Sequence, residues 1–169
     1  MGNILSIIIS TKDDEYCLSR QLDSISSQTI WPDDNKGFNA RVNQAGLDSN
    51  CEFLYFASSN DYLIPTFVEE HKSAISNLDN LHLSCSYNFG FRGFKGAENV
   101  TERYIPGHCS VISKEAFIEF GMHRQSLEWH ADLFLFNVAA YKYGFYSTGR
   151  ELSVKTPDEN SYANRGVHT

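Results

Sequence analysis

Residues Leu5 to Ser27 read LSIIISTKDDEYCLSRQLDSISS, and three textures follow one another along them. Leu5-Ser6-Ile7-Ile8-Ile9-Ser10 is β-branched and almost unbroken in hydrophobicity, the pattern of a strand buried on both faces, as in parallel sheets. Thr11 to Glu15 is polar, and Asp13 and Asp14 suit the start of a helix. Leu18, Leu22 and Ile25 then recur at helical spacing, which predicts a helix over Asp14 to Ser27 with one apolar stripe. Strand, polar turn and helix make the opening half of a βα unit.

The same alternation continues outward from there. Gln28 to Gly37 reads as loop, and Asn39 to Leu47 as a short helix with Ala40, Val42 and Ala45 as its small apolar positions. Glu52 to Ala57 is a second buried strand, running into the polar turn Ser58-Ser59-Asn60-Asp61. Pro65 falls in the first turn of a helix, where a missing N–H costs nothing, and Phe67, Val68, His71, Ala74, Ile75 and Leu78 form that helix's buried face. Leu81 to Tyr87 alternates as a strand, and Asn88 to Gly107 carries little periodicity and reads as a long loop. Cys109 to Ile112 is a short strand. Ser113 caps a helix through Phe120, closed by Gly121. Trp129 to Tyr143 is a longer helix ended by Gly144, Phe145 to Ser147 a last short strand, and the tail from Thr156 is polar. The expectation is one domain over residues 1–169, a three-layer α/β/α sandwich with a mainly parallel sheet. In such sheets a ligand lies at the carboxyl ends of the strands. Ser10 to Asp14 and Ser58 to Asp61 fall there.

Composition narrows the function. With 14 Lys and Arg against 21 Asp and Glu the formal charge is −7, which argues against a nucleic-acid footprint. Cys17, Cys51, Cys85 and Cys109 are widely spaced with no Cys-x-x-Cys pair, so they read as reduced thiols of a cytoplasmic protein and not as a zinc site. The apolar run Ile4 to Ile9 is too short for a membrane span. Asn99-Val100-Thr101 matches a glycosylation sequon and reads as a polar loop.

Three stretches together resemble the family 2 glycosyltransferases of GT-A fold, the nucleotide-diphospho-sugar transferase fold. Leu5 to Thr29 is similar to that family's first strand, nucleotide-contacting turn and first helix. Gly37 to Pro65 (GFNARVNQAGLDSNCEFLYFASSNDYLIP) is similar to its glycine, Ala-Arg-Asn-type helix, buried strand and metal-motif turn. Ser110 to Gly144 is similar to the acceptor-side strand and helix, then the helix whose start supplies the catalytic acidic residue, acting as base. The resemblance implies a GT-A-like domain reduced in size. It implies transfer of a sugar from a nucleotide-sugar donor to a hydroxyl of a sugar or glycan acceptor.

The resemblance also assigns residues. Asp132 is the base that deprotonates the acceptor hydroxyl; on residue type alone the plainer reading is an acid favoured in a first helical turn. Trp129 and His130 fall on the acceptor side, where the plainer readings are a rim aromatic and a hydrogen-bonded structural histidine. Thr11 and Asp13 meet the base and ribose, or Asp13 caps a helix. Arg41 pairs with the diphosphate, or with a surface carboxylate. Ser58 and Asn60 hydrogen-bond ribose or phosphate. Arg92, Lys95 and Arg103 lie in the glycine-bearing loop, facing an anionic ligand or simply keeping the loop soluble.

Two departures stand out. Only Ile30 to Lys36 fills the place of the family's base-contacting strand, too short for that strand to fit. The Asp-x-Asp metal motif aligns with Ser58-Ser59-Asn60, so its carboxylates are gone and Asp61 alone remains to hold a metal. Hard cations prefer carboxylate oxygens, so affinity for a divalent cation (Mg²⁺ or Mn²⁺) is expected to be weakened. These departures keep a second reading open: a non-catalytic, degenerate binding module. A third is a subunit that needs a partner chain, since a truncated sheet leaves an edge open to pairing, in a homo-oligomer for instance.

Overall fold

Leu5–Ser10 forms strand β1 and Phe53–Ser58 forms β3, and the two pair in parallel, residue for residue, from Leu5 with Phe53 to Ser10 with Ser58. Side chains alternate across a strand, so each strand feeds two cores. Ile7, Ile9, Phe53, Tyr55 and Ala57 point to one face, and Ile8 and Leu54 to the other, with Phe56 packed beside them. That is why both stretches read as continuous apolar runs.

The computed structural model describes residues 4–10, 29–30, 37–58, 62–89, 105 and 107–154. The helix expected over Asp14 to Ser27, the sequon at Asn99, Arg92, Lys95, Arg103 and the tail from Thr156 lie outside these residues. The remaining elements are β2 (Thr29–Ile30), α1 (Phe38–Asp48), β4 (Tyr62–Leu63), α2 (Phe67–Asn77), β5 (Leu83–Phe89), β6 (Ser110–Ser113), α3 (Lys114–Glu119), α4 (Ala131–Tyr143) and β7 (Tyr146–Val154), with 3₁₀ turns at Gly107–Cys109 and Gln125–His130.

One seven-stranded sheet runs in the order β2-β1-β3-β6-β5-β7-β4. β1, β2, β3, β5 and β7 share one direction; β6 and β4 run against it. The sheet is therefore mixed and mainly parallel. Helices α1, α3 and α4 cover one face through Ala45, Phe117, Leu135 and Phe136, and α2 covers the other through Phe67. The three layers are as expected. Tyr55, Phe67, Phe117 and Phe136 are fully buried, and truncating such an aromatic to alanine costs about 3–5 kcal/mol.

Local signals hold where they are chemical. The Ser113 hydroxyl accepts from the Ala116 N–H at 3.1 Å and caps α3. Gly121 and Gly144 take positive φ of 82° and 72° after their helices. The Lys114 ammonium donates to the carbonyls of Leu47 and Ser49 at 2.6 and 2.7 Å, closing the end of α1.

Several expectations need correction. The loop assigned to Gln28 to Gly37 contains a short strand, β2, formed by Thr29 and Ile30 and paired with Ile8 and Ile9. Two residues show no periodicity. β4 escaped notice for the same reason. Thr66, not Pro65, stands at the start of α2, and Leu78 is 39% exposed because the helix ends at Asn77. Asn88 and Phe89 belong to β5 and not to the loop. The last strand is nine residues, not three, because its pairing with β5 carries it on to Val154 past the polar Thr148 to Glu151. The long helix begins at Ala131, two residues after Trp129.

Two histidines sit in these cores. His71 on α2 lies with Nδ1 2.8 Å from the Ser84 hydroxyl of β5. The ring of His123 packs 4.9 Å from that of Phe56, with neither nitrogen hydrogen-bonded among the described residues. Burial pushes both down to about 4. The unfolded chain, titrating near 6.5, binds more protons between pH 4 and 6.5. Stability contributed by the neutral rings is therefore complete above pH 6.5 and is lost as pH falls towards 4, on the order of 3 kcal/mol for each ring. Urea midpoints at pH 7 and pH 5 check this. His123→Phe is expected to keep the pH 7 midpoint and to remove about half of the loss.

Candidate functional site

The chain leaves β1 towards β2 on one side and leaves β3 towards the opposite end of the sheet. Such a divergence opens a crevice outside the carboxyl ends of the two strands. The register sets those ends level, Ser10 beside Ser58. On the far side of β3 the antiparallel β6 pairs Val111 with Tyr55 and Ile112 with Leu54. The turn Gly107–Cys109 immediately precedes β6, so it lies towards the carboxyl end of β3 and packs on that strand.

Asp132 reaches this turn from α4. A Cβ placed on Gly107 would lie 2.8 Å from Asp132 Oδ2 and 3.0 Å from its Cβ. A Cβ there would force the carboxylate to shift and would crowd the Asp132 Cβ, so glycine lets the Asp132 side chain lie against the turn as it does. Asn137, further along α4, completes the clamp. Its Oδ1 accepts from the Ile105 N–H at 3.1 Å, and its Nδ2 donates to the Ile105 and Leu133 carbonyls at 3.2 and 2.7 Å. The chain on both sides of residue 106 is thereby fixed to the first turns of α4.

The approach to α4 is fixed from α1. Asn39 and Asn43, four residues apart, share one helical face. The Asn43 side chain takes both hydrogen bonds of the His123 backbone, donating to its carbonyl and accepting from its N–H, each at 2.8 Å. Asn39 Nδ2 donates to the Glu128 carbonyl at 2.8 Å. Glu128 has φ 46° and ψ −115°, a kink inside the 3₁₀ segment Gln125–His130, three residues before α4 begins. A side-chain-bearing residue in such a region carries strain on the order of 1–3 kcal/mol.

The expected site residues fall as follows. Asp132 lies in the first turn of α4, and exposed His130 at its N-cap. Trp129 is in the same segment, its side chain outside the described residues. Ser58 ends β3. Arg41 is half-buried on α1, about half a turn round from Asn39 and Asn43, on the side turned from the segment that leads into α4. Thr11, Asp13, Asn60 and Asp61 lie outside the described residues. The strand end of Ser58 and the carboxylate of Asp132 thus meet the same turn, Gly107–Cys109. Gly107, Asn39, Asn43 and Asn137 were not anticipated. The i, i+4 asparagine pair on α1 was the one available signal, since two asparagines on one helix face are poor helix formers.

Two cavities lie away from this edge among the described residues. A depression of about 840 Å³ lies at the opposite end of the sheet, between Ser49–Phe53, Asn80–His82 and Ser113–Glu115. Another of about 520 Å³ runs along the outer side of α4 past His130, Phe134 and Tyr141. The strand ends and the glycine contact, not cavity size, define the site. Among the described residues no group of three or more His, Cys, Asp or Glu gathers to hold a metal, and no helix is long and apolar enough to cross a membrane.

No protein-family model matches the chain, and no curated protein matches it in sequence. Solved structures do match in fold. S. aureus TarS 1–349 aligns with a TM-score of 0.70 at 13% identity, over 91% of this chain and 60% of that one. TarS 1–349 is also known in complex with UDP and with UDP-GlcNAc. Mannosyltransferase PcManGT from Pyrobaculum calidifontis, in complex with GDP-Man and Mn²⁺, aligns with a TM-score of 0.70 at 12% identity over 94% of this chain and 58% of its own. Glucosyl-3-phosphoglycerate synthase from Mycobacterium tuberculosis, with Mn²⁺, UDP and glucosyl-3-phosphoglycerate, aligns at 0.68 and 11% over 98% and 75%. At these identities the likeness is one of fold, and that fold is the GT-A glycosyltransferase type. The chain spans about 60% of the length of TarS 1–349.

Gly107→Ala tests the contact on which the site is built. It is expected to lower stability by about 1–3 kcal/mol. The loss should be smaller in an Asp132→Ala background, which removes Oδ2 and Cγ from the clash. Urea unfolding of the two single variants and the double variant gives this coupling directly.

Proposed function

We propose that the chain is a nucleotide-sugar-dependent glycosyltransferase of family 2 type, with a degenerate Asp-x-Asp at Ser58 to Asn60. What supports this reading is the seating of Asp132 against the turn beside the end of β3, in a fold shared with UDP- and GDP-sugar-binding structures. In the proposed reaction the Asp132 carboxylate takes the proton of an acceptor hydroxyl. That oxygen forms a bond to the anomeric carbon of the donor as the bond from that carbon to the diphosphate breaks, and the nucleoside diphosphate leaves. A carboxylate base of this kind contributes about 10²- to 10⁴-fold. Thr11 and Asp13 take the base and ribose, Ser58 and Asn60 the ribose or phosphate, and Arg41 lends a fork of donors to the diphosphate. Trp129 and His130 border the acceptor.

The metal carried by the neighbours fits this chain poorly. Where the resemblance sets carboxylates, Ser58 and Asn60 supply neutral oxygens, and Asp61 supplies a single carboxylate. Mg²⁺ and Mn²⁺ favour carboxylate oxygens, so the proposed reaction is written without a step through a cation. The same loss favours a second reading, a degenerate module that binds a sugar nucleotide, a glycan or a partner chain without turnover.

Titration calorimetry with UDP- and GDP-sugars, with and without Mn²⁺, separates the readings. Binding that changes little with Mn²⁺ is expected. Asp132→Asn should keep donor affinity within about twofold and reduce turnover by about 10²-fold or more. Binding without turnover, indifferent to Asp132→Asn, selects the second reading. No binding of any nucleotide overturns the donor site altogether.

A further inference from the structure

We propose that Asn39 is a positioning residue for Asp132: its side-chain amide holds the backbone kink at Glu128 from which α4 departs, and so seats the carboxylate against Gly107. The inference rests on the reading of Asp132 as acceptor base. The Glu128 carbonyl accepts from two donors, the Asn39 amide at 2.8 Å and the Ala131 N–H that starts α4. The residue after Ala131 is Asp132. One side chain from a helix 89 residues earlier therefore grips the carbonyl that begins the catalytic helix.

The kink needs such a grip. At φ 46° and ψ −115° Glu128 sits where only glycine is at ease. Released, it would relax towards negative φ and swing the first turn of α4. Docking α1 is not what Asn39 is needed for, because Asn43 on the same face already holds the His123 backbone with two bonds of 2.8 Å. Asn39, 8% exposed, reaches the Arg124 carbonyl at 3.5 Å, but its short bond of 2.8 Å falls five residues beyond His123, at the Glu128 carbonyl.

The test exploits the conformational reason. Asn39→Ala is expected to lower kcat about 10- to 100-fold while leaving the donor KM within about twofold. Glu128→Gly, which takes the same φ and ψ without a Cβ, is expected to bring the Asn39→Ala protein back to within about threefold of the parent. A readout free of activity uses Trp129 as the sole tryptophan, in a Trp31→Phe protein. Asn39→Ala should shift its emission, and adding Glu128→Gly should restore it. If Asn39→Ala does not fold, Asn39→Asp serves, since it keeps the size but cannot donate at neutral pH. Asn43→Ala is the control, expected to lose stability that Glu128→Gly does not return. An unchanged Trp129 emission in the Asn39 variants, or a loss that Glu128→Gly fails to recover, overturns the inference. Should the parent turn over no donor while the emission follows the expected pattern, the glycosyl-transfer reading fails and the positioning of α4 stands.

Discussion

The parallel pairing of β1 with β3 is the constraint from which the rest follows. Each strand is buried on both faces, so a slip by one residue would exchange the side chains that fill one core for those that fill the other. Ile7, Ile9, Tyr55 and Ala57 belong to the α2 side, and Ile8 and Leu54 to the side of α1, α3 and α4. That locked register is what brings Ser10 level with Ser58. The chain diverges from the level ends of these two strands, the place where open α/β sheets in general take their ligands.

The second half of the chain brings its parts to that end by reversing direction. Because β6 runs against β3, its beginning lies where β3 finishes. The turn Gly107–Cys109 is carried there as a consequence, and Asp132 with it. Asn137 and Gly107 fix α4 to that turn; Asn39 and Asn43 fix the segment that leads into α4. These contacts are directional hydrogen bonds and one close backbone approach, and together they hold the Asp132 carboxylate in one place.

How much of this could be read from residues alone depended on range. β1 and β3 were legible because burial on both faces writes a continuous apolar run. The Ser113 cap and the glycines after α3 and α4 were legible because their causes lie within a few residues. β5 was read as alternating, yet Ser84 and Ser86 are as buried as Leu83 and Cys85. Being central between β6 and β7 decides that, and no local pattern reports it. The break at Glu128 has neither glycine nor proline to announce it; its partner is Asn39. Asp132 was legible as a first-turn acid, while the glycine that admits it stands 25 positions earlier and signals nothing by itself. Thr11, Asp13, Asn60 and Asp61, read from the turns that follow β1 and β3, remain proposals.

The reversed strand has a further consequence for how this end of the sheet can change over generations. Its parts come from separate tracts of chain: one from the strands and helix that end before residue 60, the other from the stretch that begins at Ile105. Apart from the asparagine pair on α1, the contacts described around Asp132 lie within the later tract. Drift in the earlier tract can therefore alter the strand ends while the contacts around Asp132 keep their shape, and the reverse holds equally. Such a division lets one half of this edge decay or be retuned without dismantling the other.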